Sequence, residues 1–179
     1  MRVTREPGGT RLGEQVRELL LHSATDVGRL AELFLILADR AEHVESLIRP
    51  ALKAGVVVLC DRFSDSTLAY QAYGRRLPLE AVRAVEGVAR QGLLPDLTFV
   101  LDCPVEVGLA RTRRRRAGAA ADRFEAEDAE FHERVRQGFL ALAREDPHRI
   151  RIVDGSRSSE EVHREILAAC SVELGVAFP

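Results

Sequence analysis

Val56-Val57-Val58-Leu59-Cys60 runs straight into Asp61-Arg62, and this junction decides the fold. A short run of β-branched and aliphatic residues without polar alternation is the pattern of a strand buried on both faces, as strands of parallel sheets are. Leu97-Thr98-Phe99-Val100-Leu101 repeats the pattern, while Arg149-Ile150-Arg151-Ile152-Val153 alternates and predicts a strand nearer a sheet edge. Helical stripes separate these runs: Leu12, Val16, Leu19, Leu20; Val82, Val85, Val88, Ala89; Phe131, Val135, Phe139, Leu142; and Val162, Ile166, Leu167, Cys170. Pro78 and Pro104 fall where the first turn of a helix tolerates proline. Strand–helix alternation of this kind predicts a three-layer α/β/α domain built on a parallel sheet. Its 179 residues form a single domain, long enough to bury roughly 70% of its unfolded surface.

In an open parallel sheet, ligands bind beyond the carboxyl ends of the strands, so Asp61 and Arg62 point toward a site. An Asp there can hold Mg²⁺ directly or through water, and an adjacent Arg can bind phosphate and neutralise charge during its transfer. A helix-capping Asp beside a surface Arg fits the same two letters, and the pair alone does not choose.

Composition narrows the partners. The net charge is −2, which gives no global attraction to nucleic acid or to an anionic membrane, so anion binding must come from local arginines. Lys53 is the only lysine. The Arg111–Arg116 cluster lacks interleaved aromatics, which argues against a nucleic-acid patch, and it also suits the cation-favouring end of a helix. Cys60, Cys103 and Cys170 are widely spaced in apolar surroundings and read as core thiols of a reducing compartment, the cytoplasm. The histidines show no metal-ligand spacing, and the longest apolar run, 33–38, is far short of a membrane span.

The segment Asp61-Arg62-Phe63-Ser64-Asp65-Ser66-Thr67-Leu68-Ala69-Tyr70-Gln71-Ala72-Tyr73-Gly74-Arg75 resembles the thymidylate kinase pattern of Asp-Arg-aromatic, Ser-Ser/Thr, Ala-Tyr-Gln and Gly-Arg. Thr4-Arg5-Glu6-Pro7-Gly8-Gly9-Thr10 resembles the loop after that family's second strand. Asp122-Arg123-Phe124-Glu125, with Phe131-His132 and Val135-Arg136 behind it, resembles its lid and following helix. The three motifs occur in family order, and the resemblance runs from residue 1 to about 169.

The resemblance implies a P-loop-kinase-like fold that moves the γ-phosphoryl of ATP to dTMP with Mg²⁺. Asp61 would organise the magnesium water shell, and Arg62 would bridge the dTMP phosphate to the transferred group. Glu6 and Pro7 would border sugar and base, with Arg17 and Arg40 adding positive charge. Ser66, Thr67 and Gln71 would face the base edge, and Tyr70 would lie over the sugar. Arg123, with Arg113, Arg114, Arg115 and Arg116, would close over ATP as a lid spanning about 113–124. Homodimerisation is implied by the family alone.

Two departures stand out. At Ile36 the family usually places a Phe that stacks on thymine; Phe34 lies two residues away and faces another side of the helix. No G-x-x-x-x-G-K-[ST] occurs, and Lys53 sits in Ala51-Leu52-Lys53-Ala54-Gly55, ahead of a strand. Met1-Arg2-Val3-Thr4-Arg5 reads as the end of a strand. The expectation is a domain incomplete at its start, lacking the first strand and the P-loop helix, and inactive as it stands. Another nucleoside monophosphate kinase and a catalytically silent nucleotide-binding or interaction protein are the alternatives.

Overall fold

The β-branched runs form two parallel ladders. β1 (Arg2–Arg5) pairs with β2 (Val58–Asp61), Arg5 opposite Asp61, and β3 (Thr98–Asp102) pairs with β4 (Ile150–Asp154), Asp102 opposite Asp154. In this computed structural model the described residues are 1–21, 26–116 and 122–175. Around the ladders lie α1 (Arg11–Leu21), α2 (Arg29–His43), α3 (Arg49–Lys53), α4 (Ser64–Thr67), α5 (Leu79–Ala89), α6 (Val105–Arg116), α7 (Ala129–Glu145) and α8 (Ser159–Leu174). The architecture is the expected α/β fold with parallel strands, with one difference: among the described residues no ladder joins the two pairs into one sheet.

Side chains make that connection instead. Arg149, just before β4, donates to both carboxylate oxygens of Asp65 on α4 at 2.7 and 2.9 Å, and Thr98 at the start of β3 donates to the same group. α4 directly follows β2, so this cluster fixes one ladder to the other.

The stripes predicted from periodicity are mostly found, and where they fail the reason is chemical. On α5, Val82 and Ala89 are buried but Val88 is 78% exposed. Glu86 takes the inner face because its carboxylate accepts from Ser64 and Arg90. On α1, Val16 and Leu20 are buried while Leu12 and Leu19 are open. Burial of the 56–60 strand on both faces is also corrected: Val57 and Leu59 are exposed, as is Val3 opposite Leu59. Among the described residues no helix covers that face.

Helix ends follow local rules. Asp128 caps α7 by accepting the Phe131 N–H at 2.6 Å, and Ser158 and Glu161 form a capping box at the start of α8. The main core packs α7 against the segment Leu68–Gly74, which is wound as a π-helix. Two glycines permit that contact. A Cβ on Gly138 would lie 2.8 Å from Tyr73, and one on Gly74 would lie 2.8 Å from Phe131 and Val135. The close approach fixes Tyr70 and Gln71, which ride on the same π-helical turn.

Candidate active site

β1 and β2 end side by side, and the chain beyond them builds the floor of the site. The ladder extends one step, the Glu6 N–H donating to the Asp61 carbonyl at 2.9 Å. From β2 the chain turns sharply: Arg62 has φ 68°, a left-handed conformation that costs an arginine roughly 1–2 kcal/mol and aims its side chain back over the sheet end. Its guanidinium stacks on the Tyr70 ring, 4.8 Å from the centroid.

Beneath this lies a buried ionic cluster. Glu6 accepts from Arg40 through Nε at 2.9 Å and lies 2.8 Å from its Nη2, and it is 2.9 Å from His43 Nδ1. The other ring nitrogen of His43 bonds the Thr4 hydroxyl at 2.7 Å. Arg40 is only 1% exposed, stacks on Phe63, and keeps Nη1 without a hydrogen bond, 3.5 Å from Glu86. The neighbouring Asp39 accepts the Gly8 N–H through Oδ1 at 3.1 Å, while its other oxygen has no partner. Burial pushes the Asp39 carboxyl up to about 7, against the pull of the Gly8 N–H.

One cavity of about 490 Å³ gathers most of the residues singled out in the sequence. Glu6, Pro7, Arg17, Ile36, Arg40 and Arg62 line it, together with Ser66, Thr67, Tyr70 and Gln71. Arg17 is steered there by donating to the Pro7 carbonyl at 3.0 Å. Thr67 and Gln71 are buried, yet the Thr67 hydroxyl and the Gln71 amide oxygen lack partners. The lining therefore combines arginines with unspent hydrogen-bonding atoms of Thr67 and Gln71, which suits a molecule carrying both a phosphate and a polar ring.

Other predicted residues lie elsewhere. Asp61 is exposed at the end of β2, outside the cavity lining, and its carboxylate has no hydrogen-bond or salt-bridge partner among the described residues. Arg123 is also absent from the lining: its Nη2 donates to the Val27 carbonyl at 2.5 Å and lies 3.1 Å from buried Glu32. Arg113 and Arg114 are exposed, whereas Arg115 reaches the cavity and pairs with Glu125 at 3.2 Å. The Arg116 side chain and residues 117–121 of the predicted lid lie outside the described residues.

Sequence reasoning missed the buried acids. Glu32 was legible: Glu32, Ile36, Arg40 and His43 recur at helical spacing on the inner face of α2. Asp102 at the end of β3 was also missed. Arg136 grips it through two bonds at 2.6 and 2.9 Å and holds its carboxyl below the ordinary range.

A metal has one clustered candidate among the described residues, Glu6 with His43 and Cys60. It fits poorly. The carboxylate is already spent on Arg40 and His43, and burial pushes the Cys60 thiol up, away from the thiolate a metal needs. Exposed Asp61 is the better match for a hydrated Mg²⁺, which keeps several of its waters.

Comparison with known proteins identifies the family. The sequence model of the thymidylate kinase family matches residues 1–166. The thymidylate kinase of Desulfovibrio desulfuricans is 56% identical over 177 residues, covering 96% of this chain and 82% of the relative. That of Synechococcus sp. (strain JA-2-3B'a(2-13)) is 53% identical over 174 residues, covering 97% and 81%. Among solved structures, the thymidylate kinase from Ehrlichia chaffeensis superposes with a TM-score of 0.75 at 34% identity, over 95% of this chain and 79% of that one.

Proposed function

We propose, since this chain belongs to the thymidylate kinase family, that its cavity holds dTMP and presents the 5′-phosphate to ATP in the cytoplasm. In the reaction a phosphate oxygen of dTMP bonds to the γ-phosphorus of ATP while the bond to the β,γ-bridging oxygen breaks, giving dTDP and ADP. Little covalent work falls to the protein, whose part is positioning and charge neutralisation. Arg62 and Arg17 would hold the dTMP phosphate at the strand ends. Ile36 would floor the thymine, with Ser66, Thr67 and Gln71 at its polar edge and Tyr70 against the sugar. Buried Arg40 would act with Glu6 as a fixed wall. Mg²⁺, bound with ATP and hydrated against Asp61, would offset phosphate charge.

The ATP side needs more than these residues offer. No G-x-x-x-x-G-K-[ST] occurs among the 179, and Lys53 lies on α3, outside the cavity lining. We propose that the phosphate cradle is contributed by polypeptide beyond them, fitting between the unjoined β2 and β3. Arg113 to Arg116 would close over ATP from α6, and Arg123 would join them only by leaving Glu32. A homodimer belongs to the same reading, with exposed Leu30 and Phe34 on α2 as apolar surface for it.

The observation carrying this reading is one cavity lined both by Arg17, Arg40 and Arg62 and by Thr67 and Gln71, whose hydroxyl and amide oxygen lack partners. Titration calorimetry with dTMP, dAMP and dGMP tests it. Preferential dTMP binding is expected, and equal or absent binding of all three would remove the reading.

A further inference from the structure

We propose that Glu32, which does not line the cavity, fixes the hydrogen-bonding polarity of the base pocket by holding the Gln71 amide in one orientation. Gln71 then offers an acceptor to the ligand, favouring a base edge with a ring N–H over one with a ring lone pair. The proposal rests on the cavity being the dTMP site and names a positioning residue for its selectivity.

Glu32 and Gln71 are both 0% exposed. Glu32 Oε1 accepts from Gln71 Nε2 at 3.1 Å and from Arg75 Nε at 2.9 Å; Oε2 accepts from Arg75 Nη2 at 3.0 Å and lies 3.1 Å from Arg123 Nη2. Each oxygen accepts from the Arg75 guanidinium and Oε2 also faces Arg123, so the carboxylate stands here as an acceptor among donors. The end of the Gln71 amide that meets it must therefore be the NH₂. Turning the amide over would set its oxygen against the carboxylate. The remaining end, Oε1, is buried without a partner on a residue that lines the cavity. An acceptor stranded in that way favours a ligand that supplies a donor and penalises one that brings a second lone pair. Thymine and uracil carry a hydrogen on N3, whereas cytosine N3 carries a lone pair.

The same carboxylate reaches the lid. Arg75 also pairs with Glu127 and stacks on Phe124 and Phe131, so Glu32 joins the base pocket to residues 123–127. A selectivity readout is needed to separate positioning from mere support of this cluster.

The test is titration calorimetry of the folded chain with dTMP, dUMP and dCMP, for the native sequence, Glu32→Gln, Gln71→Ala and the double variant. A glutamine at 32 offers both donor and acceptor, so the Gln71 amide becomes free to turn. The native chain is expected to prefer dTMP and dUMP to dCMP. Glu32→Gln should shrink the dTMP:dCMP affinity ratio at least tenfold, and should leave it unchanged once Gln71 is alanine. If Glu32→Gln does not fold, Glu32→Gln with Arg123→Gln removes one uncompensated guanidinium and carries the same test. A ratio within twofold of native, with both affinities lowered together, would overturn the proposal and leave Glu32 a structural group. No dTMP binding by the native chain would remove the site reading itself, and this proposal with it.

Discussion

The Arg62 guanidinium, part of the cavity lining, lies 4.8 Å from the centroid of the Tyr70 ring on a backbone with φ 68°. Stacking on a ring leaves the in-plane N–H groups of an arginine free to grip an anion. Arg62→Ala is expected to weaken dTMP roughly 10–100-fold, the worth of a charge-assisted bond of about 1.5–3 kcal/mol. Thymidine, which lacks the phosphate, should bind almost as before. Calorimetry with the two ligands separates the cases, and equal weakening of both would take Arg62 out of the phosphate site.

Glu6 and Arg40 lie deeper, and their contribution is to stability. Removing one partner of a buried ion pair strands the other charge, at a cost of about 3–5 kcal/mol. Glu6→Ala should therefore lower the urea midpoint sharply, because Arg40 and His43 both lose their acceptor. Glu6→Ala with Arg40→Met removes both charges and should recover much of that loss. If the double variant is no more stable than Glu6→Ala, the cluster is not held by this pair.

Asp39 gives a pH dependence with a definite sign. Its folded carboxyl is pushed up to about 7 from an ordinary 3.8, so between these values the folded chain keeps a proton that the unfolded chain releases. Stability from this group is complete below about pH 4 and is lost as pH rises through 7. Asp39→Asn keeps an acceptor for the Gly8 N–H and removes the titration. Its stability relative to the native chain should therefore rise between pH 5 and pH 8, as read from urea midpoints at each pH. A difference that stays flat would mean that Asp39 titrates normally.

How far the sequence revealed all this depended on what each signal measures. Apolar periodicity found the strands and helices because burial of apolar surface has the period of the element. It misassigned Val88 and overlooked Glu86, since a carboxylate can take an inner position when Ser64 and Arg90 satisfy it. The candidate site residues were readable through motif resemblance, and eleven of them, Arg115 included, line one cavity. The pairing of Arg123 with Glu32 was not legible, because Glu32 lies 91 positions earlier and no local pattern announces a pair so far apart in sequence.

The last prediction concerns phosphoryl transfer by these 179 residues alone. On the proposed reading the dTMP half of the site lies within these residues, so dTMP should bind. No G-x-x-x-x-G-K-[ST] occurs among the 179 residues, and Lys53 lies outside the cavity lining. Loss of one preorganised donor to a transferring oxyanion costs about 3 kcal/mol, near a hundredfold in rate, and a whole cradle costs far more. A coupled assay of ADP release should therefore detect no turnover with dTMP and ATP. Supplying a segment with an apolar strand, a G-x-x-x-x-G-K-[ST] loop and a helix should restore turnover. The edges of β2 and β3 that are unpaired among the described residues are where its strand would add. Steady turnover by the 179 residues alone would overturn this, because the ATP phosphates would then be held by groups already present. Arg115 would be the first to test, since among the predicted lid arginines whose side chains are described it is the one that reaches the cavity.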